Sequence, residues 1–294
     1  MTVAPTAVHG VRAAGQTATS AWRHSDALLR TAIIVLGAIV VLTVIAVLTG
    51  VTGSTSATIG GRLEGASALA PLGTDNLGRS LLPRLFEGIA TTLVVSIVAV
   101  VCSAAVSTLL GMLSGYYGGG VNEVVMRVAD VLYAFPALVL AILVSAPLGP
   151  GRPAAIISIV VITIPLMTRV VRLATRSVAE RDFIVSARIS GVRTPVIFVR
   201  RLLPNIAGTI AVQASYALSV AILVEGGLSF LGFGVQVPEA SLGLLIQQGM
   251  LYMTQAPQLL IVPGAVLVVS ILCINIIGDG LRDRFEPRET RSLK

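Results

Sequence analysis

Residues 181–205 read RDFIVSARISGVRTPVIFVRRLLPN and separate two strongly apolar blocks. No other charged, polar-interrupted segment between such blocks is as long, and this one holds Arg181, Arg188, Arg193, Arg200 and Arg201. The pattern places a helix start near Asp182. Ser186, Ala187 and Gly191 keep one face lean, which lets a helix approach a partner surface closely, with arginines at its edges. Pro195 interrupts that helix and predicts two short helices with a bend. The residues alone leave two readings open. Either the segment is a rigid lever tied to the apolar blocks on both sides, or it is an amphipathic stretch resting on anionic lipid.

The flanking blocks decide the class. Of 294 residues 55% are hydrophobic and 12% charged, with a mean hydropathy of +0.91. A soluble domain carries about a quarter charged residues, so the composition is that of a membrane protein. The net charge of +7 raises nucleic acid as a partner, but the basic residues fall between apolar runs, where membrane orientation accounts for them. A bilayer core needs roughly 20 apolar residues per helix. Six runs qualify, at about 31–50, 88–114, 127–147, 154–172, 206–227 and 257–278. Pro136, Pro165 and Pro263 lie within or beside them and are expected as tolerated kinks.

Arginine and lysine set the expected orientation. With the N-terminus inside, seventeen of the 21 basic residues face inward and only Arg62, Arg79, Arg84 and Arg152 face outward. The chain then divides into a cytoplasmic tail over 1–30, a retained first helix over 31–50 and an outward loop over 51–87. A core over 88–278 follows, with an inward connector at 173–205, and a cytoplasmic tail over 279–294. The fold expected is all-α, with six transmembrane helices and both termini cytoplasmic. The first apolar run is too long, and too far from residue 1, for a cleaved secretory signal.

Several chemistries are excluded by residue type. The one lysine is Lys294, so no G-x-x-x-x-G-K-[ST] phosphate loop exists, and any ATP-driven step needs another chain. His9 and His24, both in the N-terminal tail, leave no intramembrane Ser-His pair or HExxH zinc site. Cys102 and Cys273 sit in apolar runs as packing residues. Asp130 and Asp279 are the one intramembrane acid pair available to an aspartyl protease. Both fall near the inner ends of helices, where structural acids are common.

Five stretches together resemble one family. Residues 185–204 are similar to the coupling motif of importer-type ABC permeases: Glu-Ala-Ala, three residues, Gly, nine residues, a hydrophobic or His position, one residue, Leu-Pro. Val185, Ser186 and Ala187 stand at the first three positions, followed by Arg188, then Gly191, Arg201, Leu203 and Pro204. Val185 replaces the acidic residue. PLGTDNLGRSLLPRLFEG (71–88), MRVADVLYAFPALVLAILV (126–144), VEGGLSFLGFGVQVPEASLG (224–243) and GDGLRDRFEPR (278–288) resemble stretches of the peptide/nickel branch in the same order, with Ser80 for Asp and Leu242 for Trp. The chain is thus identified with the C-type permease subunits of dipeptide, oligopeptide and nickel importers.

That resemblance implies a type I importer permease fold and a non-catalytic subunit in the bacterial cytoplasmic membrane, translocating short peptides by alternating access. Nickel or a metal chelate is the alternative cargo. The absence of intramembrane His or paired Cys favours peptides. The implied partners are a homologous B-type permease, two ATP-binding subunits or one fused ATPase, and an extracytoplasmic peptide-binding protein. ATP and Mg would be held by the ATPases and no cofactor by this chain. Val185, Ser186, Ala187, Arg188, Gly191, Arg201, Leu203 and Pro204 would meet the ATPase. Asp75, Arg79, Glu225 and Phe230 are candidates for binding-protein docking or an outer gate. For Glu225 the competing expectation is pairing with backbone amides of the Gly-rich turn after it, and for Asp75 and Arg79 it is an ordering ion pair on a helix. Arg127 and Asp130 are expected to pair locally.

Overall fold

The computed structural model describes the backbone of residues 9–54 and 57–285, and side chains within 27–52 and 57–285. The expected tail over 1–8, the side chains of Arg12 and Arg23, and Arg288, Arg291 and Lys294 lie outside the described residues.

Among the described residues ten α-helices follow one another: α1 (His9–Leu48), α2 (Leu81–Tyr117), α3 (Gly119–Tyr133), α4 (Ala137–Leu148), α5 (Arg152–Ala179), α6 (Asp182–Ile189), α7 (Thr194–Ile197), α8 (Leu203–Phe230), α9 (Leu242–Met250) and α10 (Gln258–Phe285). Among the described residues five helical stretches are long and apolar enough to cross a membrane, and α3 and α4, bent by 94° at their junction, meet the same length and composition only when taken together. The run at 127–147, expected as one kinked helix, is therefore two helices. The break falls at Pro136, which cannot donate an N–H and pushes Phe135 out of helical geometry. Pro165 and Pro263 stay inside continuous helices. The second span starts at Leu81, seven residues before its apolar run, since a proline such as Pro83 is tolerated in a first turn.

The bundle is centred on α2 against α5. Along α2, Ala99, Ser103, Ser107, Gly111 and Gly115 recur every four residues and form a small-residue stripe. A Cβ on Gly111 would come within 2.6 Å of the Val171 side chain, and one on Gly115 within 2.6 Å of the Arg172 carbonyl oxygen. Small residues thus set the helix separation, as expected where no water drives apolar surfaces together. Around this pair, Val95, Ala99, Ala141, Ile159, Ala221 and Leu228 form the mid-bundle core. By contrast α1 packs on α10 and α2 along one edge and leaves Ile34, Val41, Leu42 and Leu48 exposed, as a lipid-facing helix would.

The connector differs from the expected pair of bent helices. Helix α6 is short and separate, but α7 runs on through a wide π-type turn at Phe198–Leu202 into α8, giving one stretch from Thr194 to Phe230. Pro195 sits in the first turn of α7, where its missing N–H is no loss. Pro204 would crowd the carbonyl of Arg200, four residues back, and the widened turn lies immediately before it.

Candidate functional site

At one end of the bundle the connector is fastened by its apolar side chains. Ile184 and Ala187 of α6, Ile197 of α7, and Phe198 and Leu202 of the wide turn are buried with Met112, Val171, Val178 and Ile206 of the spans. Fully burying an aliphatic side chain contributes about 1.5–3 kcal/mol, so several such anchors make the connector move with α2, α5 and α8. Helix α6 ends in a Schellman-type cap. The Gly191 N–H reaches the Arg188 carbonyl at 3.1 Å, and the Val192 N–H reaches the Ala187 carbonyl at 3.1 Å. Gly191 has φ +74°, and a Cβ there would meet no atom within 4 Å. Glycine is required by backbone conformation rather than by crowding.

The outward face of this joint carries the other motif residues. Val185, Ser186, Arg188, Gly191, Arg201 and Pro204 are exposed, Leu203 is half-buried and Ala187 is buried. The Arg188 guanidinium lies over the Tyr116 ring, 4.6 Å from its centroid. Asn205 closes the turn by donating its side-chain N–H to the Arg201 carbonyl at 2.6 Å. The joint is an exposed, charged helix on a rigid apolar footing.

At the opposite end, the segment after α8 folds back and inserts α9 between α2, α8 and α10. A Cβ on Gly243 would stand 2.2 Å from the Gly226 carbonyl oxygen, so α9 touches the α8 backbone directly. Ser241 caps α9, its hydroxyl accepting the Leu244 N–H at 3.2 Å. Beneath this fold-back lies Glu225, fully buried. Its Oε2 accepts from the Thr92 hydroxyl at 2.8 Å and its Oε1 from the Ser229 hydroxyl at 2.7 Å. Each hydroxyl oxygen in turn accepts a backbone amide, Leu242 N–H at 3.1 Å on Thr92 and Val235 N–H at 3.0 Å on Ser229. The carboxylate fixes the direction of both hydroxyl protons and so turns both lone pairs toward the fold-back.

Glu225 is sealed from solvent in this conformation. It reaches the following turn through two hydroxyls, whereas direct pairing with the turn's amides is the competing expectation. Phe230, half-buried at the end of α8, belongs to the same corner.

Asp75 and Arg79 do pair, at 2.7 Å, but in a turn before α2 rather than on a helix. The Asp75 carboxylate also accepts the N–H groups of Leu77 and Arg79 and the buried Arg84 guanidinium at 2.7 Å. Arg84 continues to Gln248 of α9 at 3.1 Å. Burial works against ionising Asp75, but the amides of Arg79 and Leu77 and the Arg79 side chain outweigh it. The carboxyl is held below its ordinary range. All of this orders the loop before α2 and ties it to α9. A second tie joins Arg152 of α5 to Glu239 of the fold-back at 2.7 Å.

Asp130 pairs with Arg169 of α5 at 2.5 Å, whereas Arg127 pairs with Glu123 at 3.0 Å, so the expected Arg127–Asp130 pair does not form. Residues i and i+4 on α3 face each other better than the alternative, and α5 brings Arg169 to Asp130. Asp279 accepts the Tyr216 hydroxyl at 2.5 Å. Asp130 and Asp279 are thus engaged separately, each with its own partner on another helix.

Sequence reasoning missed Thr92, Ser229, Arg84, Gln248, Glu239 and Arg152 as members of the outer network. Arg84 carries a signal in hindsight, being an arginine at the mouth of an apolar run nine residues after Asp75. Thr92 and Ser229 carry none, because hydroxyls inside spans commonly bond only to their own helix.

Comparison with known proteins gives concordant results. Residues 107–291 match the family of binding-protein-dependent transport system inner membrane components. The di/tripeptide transport system permease protein DppC of Pseudomonas aeruginosa is 37% identical over 226 residues, covering 77% of this chain and 75% of that protein. The glutathione transport system permease protein GsiD of Pectobacterium atrosepticum is 35% identical, covering 76% and 75%. The oligopeptide transport system permease protein OppC of Mycobacterium bovis is 36% identical, covering 76% and 77%. In three dimensions the chain is similar to an inward-facing conformation of the MetNI methionine ABC transporter, with a TM-score of 0.56 at 19% identity, over 68% of this chain and 95% of that one.

Proposed function

The chain belongs to the family of binding-protein-dependent transport system inner membrane components, and from that premise we propose that it is the permease subunit of an ATP-binding cassette importer for short peptides. The observation that carries the cargo class is its likeness, over three-quarters of its length, to permeases named for di/tripeptides, oligopeptides and glutathione. That likeness favours peptides over nickel. The chain spans the bacterial cytoplasmic membrane several times, with both termini and α6 inside.

The mechanism follows from the two ends of the bundle. With no phosphate-loop lysine, the chain does not hydrolyse ATP, and force must enter through a surface. The α6 joint is suited to this. It is exposed and charged outside, and fixed to three spans by apolar side chains, so a push on α6 turns α5 and α8 together. Two ATP-binding subunits, holding ATP and Mg, dock at this joint and at its counterpart on a homologous second permease. Val185 stands where such motifs carry an acid, so docking here uses shape, the exposed Ser186 and Gly191, and the arginines, while the buried Ala187 anchors α6 to the spans. At the far end an extracytoplasmic peptide-binding protein docks on the ordered outer loop. The Glu225 and Arg84 networks make loop, α9 and spans one body, so that docking outside and closure inside bias the same two-state bundle.

Reconstitution tests the proposal. In proteoliposomes the chain with its second permease, ATPases and binding protein should import labelled dipeptide and hydrolyse ATP in a peptide-dependent manner. Alone it should do neither. Conduction or uptake by the isolated chain would overturn the permease reading.

A further inference from the structure

At the α6 end of the bundle a cavity of about 510 Å³ opens between the α2–α3 corner, the last turns of α5 and helix α6. Arg172, Arg176 and Arg188 line it, with Glu180 as the one carboxylate. Arg176 and Glu180 pair with each other at 3.2 Å. Two guanidiniums therefore face the cavity with no carboxylate counter-ion among the described residues. Arg172 donates to the neutral Asn122 amide oxygen at 3.0 Å, and its Nε–H is buried with no acceptor among the described residues. Arg188 lies over the Tyr116 ring, 4.6 Å from its centroid, its Nε–H reaching the Tyr116 hydroxyl at 3.3 Å.

We propose that this cavity is a binding site for a phosphate-bearing anion, gripped by Arg172 and Arg188. The chemistry is specific. A guanidinium presents its N–H groups as a planar fork that matches two phosphate oxygens, and the contacts with the Tyr116 ring and hydroxyl position Arg188 in advance. The charge of a phosphate offsets a cavity whose lining carries two positive charges in excess, Arg172, Arg176 and Arg188 against Glu180.

The position suits a phospholipid headgroup. The cavity lies where two membrane-length helices end, beside Tyr116 and Tyr117, and span ends with tyrosine and arginine sit at the headgroup level of a bilayer. Val121, Val124 and Leu173 nearby are exposed and apolar, so acyl chains can lie against the fold while the headgroup enters sideways. With α6 on the cytoplasmic side, the adjoining leaflet is the one recognised by basic residues through anionic lipid. Free phosphate has the same oxygens, and the two sources differ only in whether acyl chains are needed. Because α6 supplies Arg188 and Val185 while the spans supply Arg172, an occupant bridges the connector to α5 and stiffens the joint that carries force.

Native mass spectrometry of the complex purified with its co-purifying chains tests this. Phosphatidylglycerol, phosphatidylcholine and inorganic phosphate are titrated separately against wild type, Arg172→Gln and Arg188→Gln. A lipid site gives several-fold more phosphatidylglycerol than phosphatidylcholine adducts in wild type, falling to parity in both variants. A free-anion site gives phosphate adducts that the variants lose, with no lipid preference. Equal adduct patterns in wild type and both variants would overturn the proposal. So would variants that shed a partner chain while phosphate and lipid binding stay unchanged, since the cavity would then receive a protein carboxylate. If one of the two variants does not assemble, the other carries the same comparison.

Discussion

The Thr92 hydroxyl donates to the buried Glu225 carboxylate across 2.8 Å while its own oxygen accepts the Leu242 amide, so one side chain joins α2, α8 and the start of α9. Thr92→Val keeps the shape but strands a carboxylate oxygen and a backbone N–H. Each buried polar group left unmet costs about 1–3 kcal/mol, more if charged. The variant should show a clearly lower thermal midpoint in detergent, whereas Thr92→Ser should stay close to wild type. Glu225→Gln keeps a single good acceptor and should fall between wild type and Glu225→Leu. A Thr92→Val midpoint equal to that of wild type would remove the role given to this tie.

The Asp75–Arg84 pair makes a prediction about acid. The Asp75 carboxyl is held below its ordinary value of 3.8, because backbone amides and Arg79 favour the charged form more than burial opposes it. A group depressed in this way stabilises fully above its unfolded pKa and loses that contribution as pH falls through the folded one. Order in the outer loop should therefore persist from neutral pH to about 4, then be lost below it. Hydrogen exchange across 57–80 as pH falls would read this. Asp75→Asn should already be loosened at neutral pH and show no further change over the window. Arg84→Gln, which leaves Asp75 with Arg79 and two backbone amides, should destabilise by about 1–3 kcal/mol. That loss should shrink in the Asp75→Asn background.

The spans were legible in the sequence because lipid leaves so few options. Apolar runs of spanning length must be helices, and five of the six expected runs lie in single long helices. The 94° break at Pro136 could not, since a proline in a span can kink or sever it, and which happens depends on what neighbours supply to the freed carbonyls. The continuity of α7 with α8 was hidden likewise, because Pro195 reads as a breaker until it is seen in a first turn. For the candidate sites, exposed motif residues such as Arg188 and Gly191 could be located by spacing. The outer network could not, because Thr92 meets Leu242 across 150 residues and no local pattern encodes that pairing.

Close approach at α9 yields a steric prediction. A methyl on Gly243 would sit 2.2 Å from the Gly226 carbonyl oxygen and 2.7 Å from its Cα, both backbone atoms that cannot turn away. Gly243→Ala must lift α9 from α8 and stretch the Leu242–Thr92 bond. Overpacking of this kind costs about 1–3 kcal/mol. Protease sensitivity within 231–257 should rise several-fold while the spans stay protected. Gly264→Ala, where a Cβ meets nothing within 4 Å, is the control and should behave as wild type.

Gly191 allows conformation and bulk to be separated at the joint. Its φ of +74° is costly for residues with a Cβ, by roughly 1–2 kcal/mol, yet a side chain there points into open space. If the joint serves only to end α6, Gly191→Asn, which tolerates left-handed geometry, should keep coupling, and Gly191→Trp should be little worse than Gly191→Ala. If a partner chain closes over it, bulk should matter as well. Docking at α6 predicts this second pattern: Gly191→Trp abolishes peptide-stimulated ATP hydrolysis in an assembled complex, Gly191→Asn retains much of it, and Val185→Ala is mild. Measured side by side in one reconstituted system, a Gly191→Trp complex that assembles and stays coupled would mean that the motor grips the permease elsewhere.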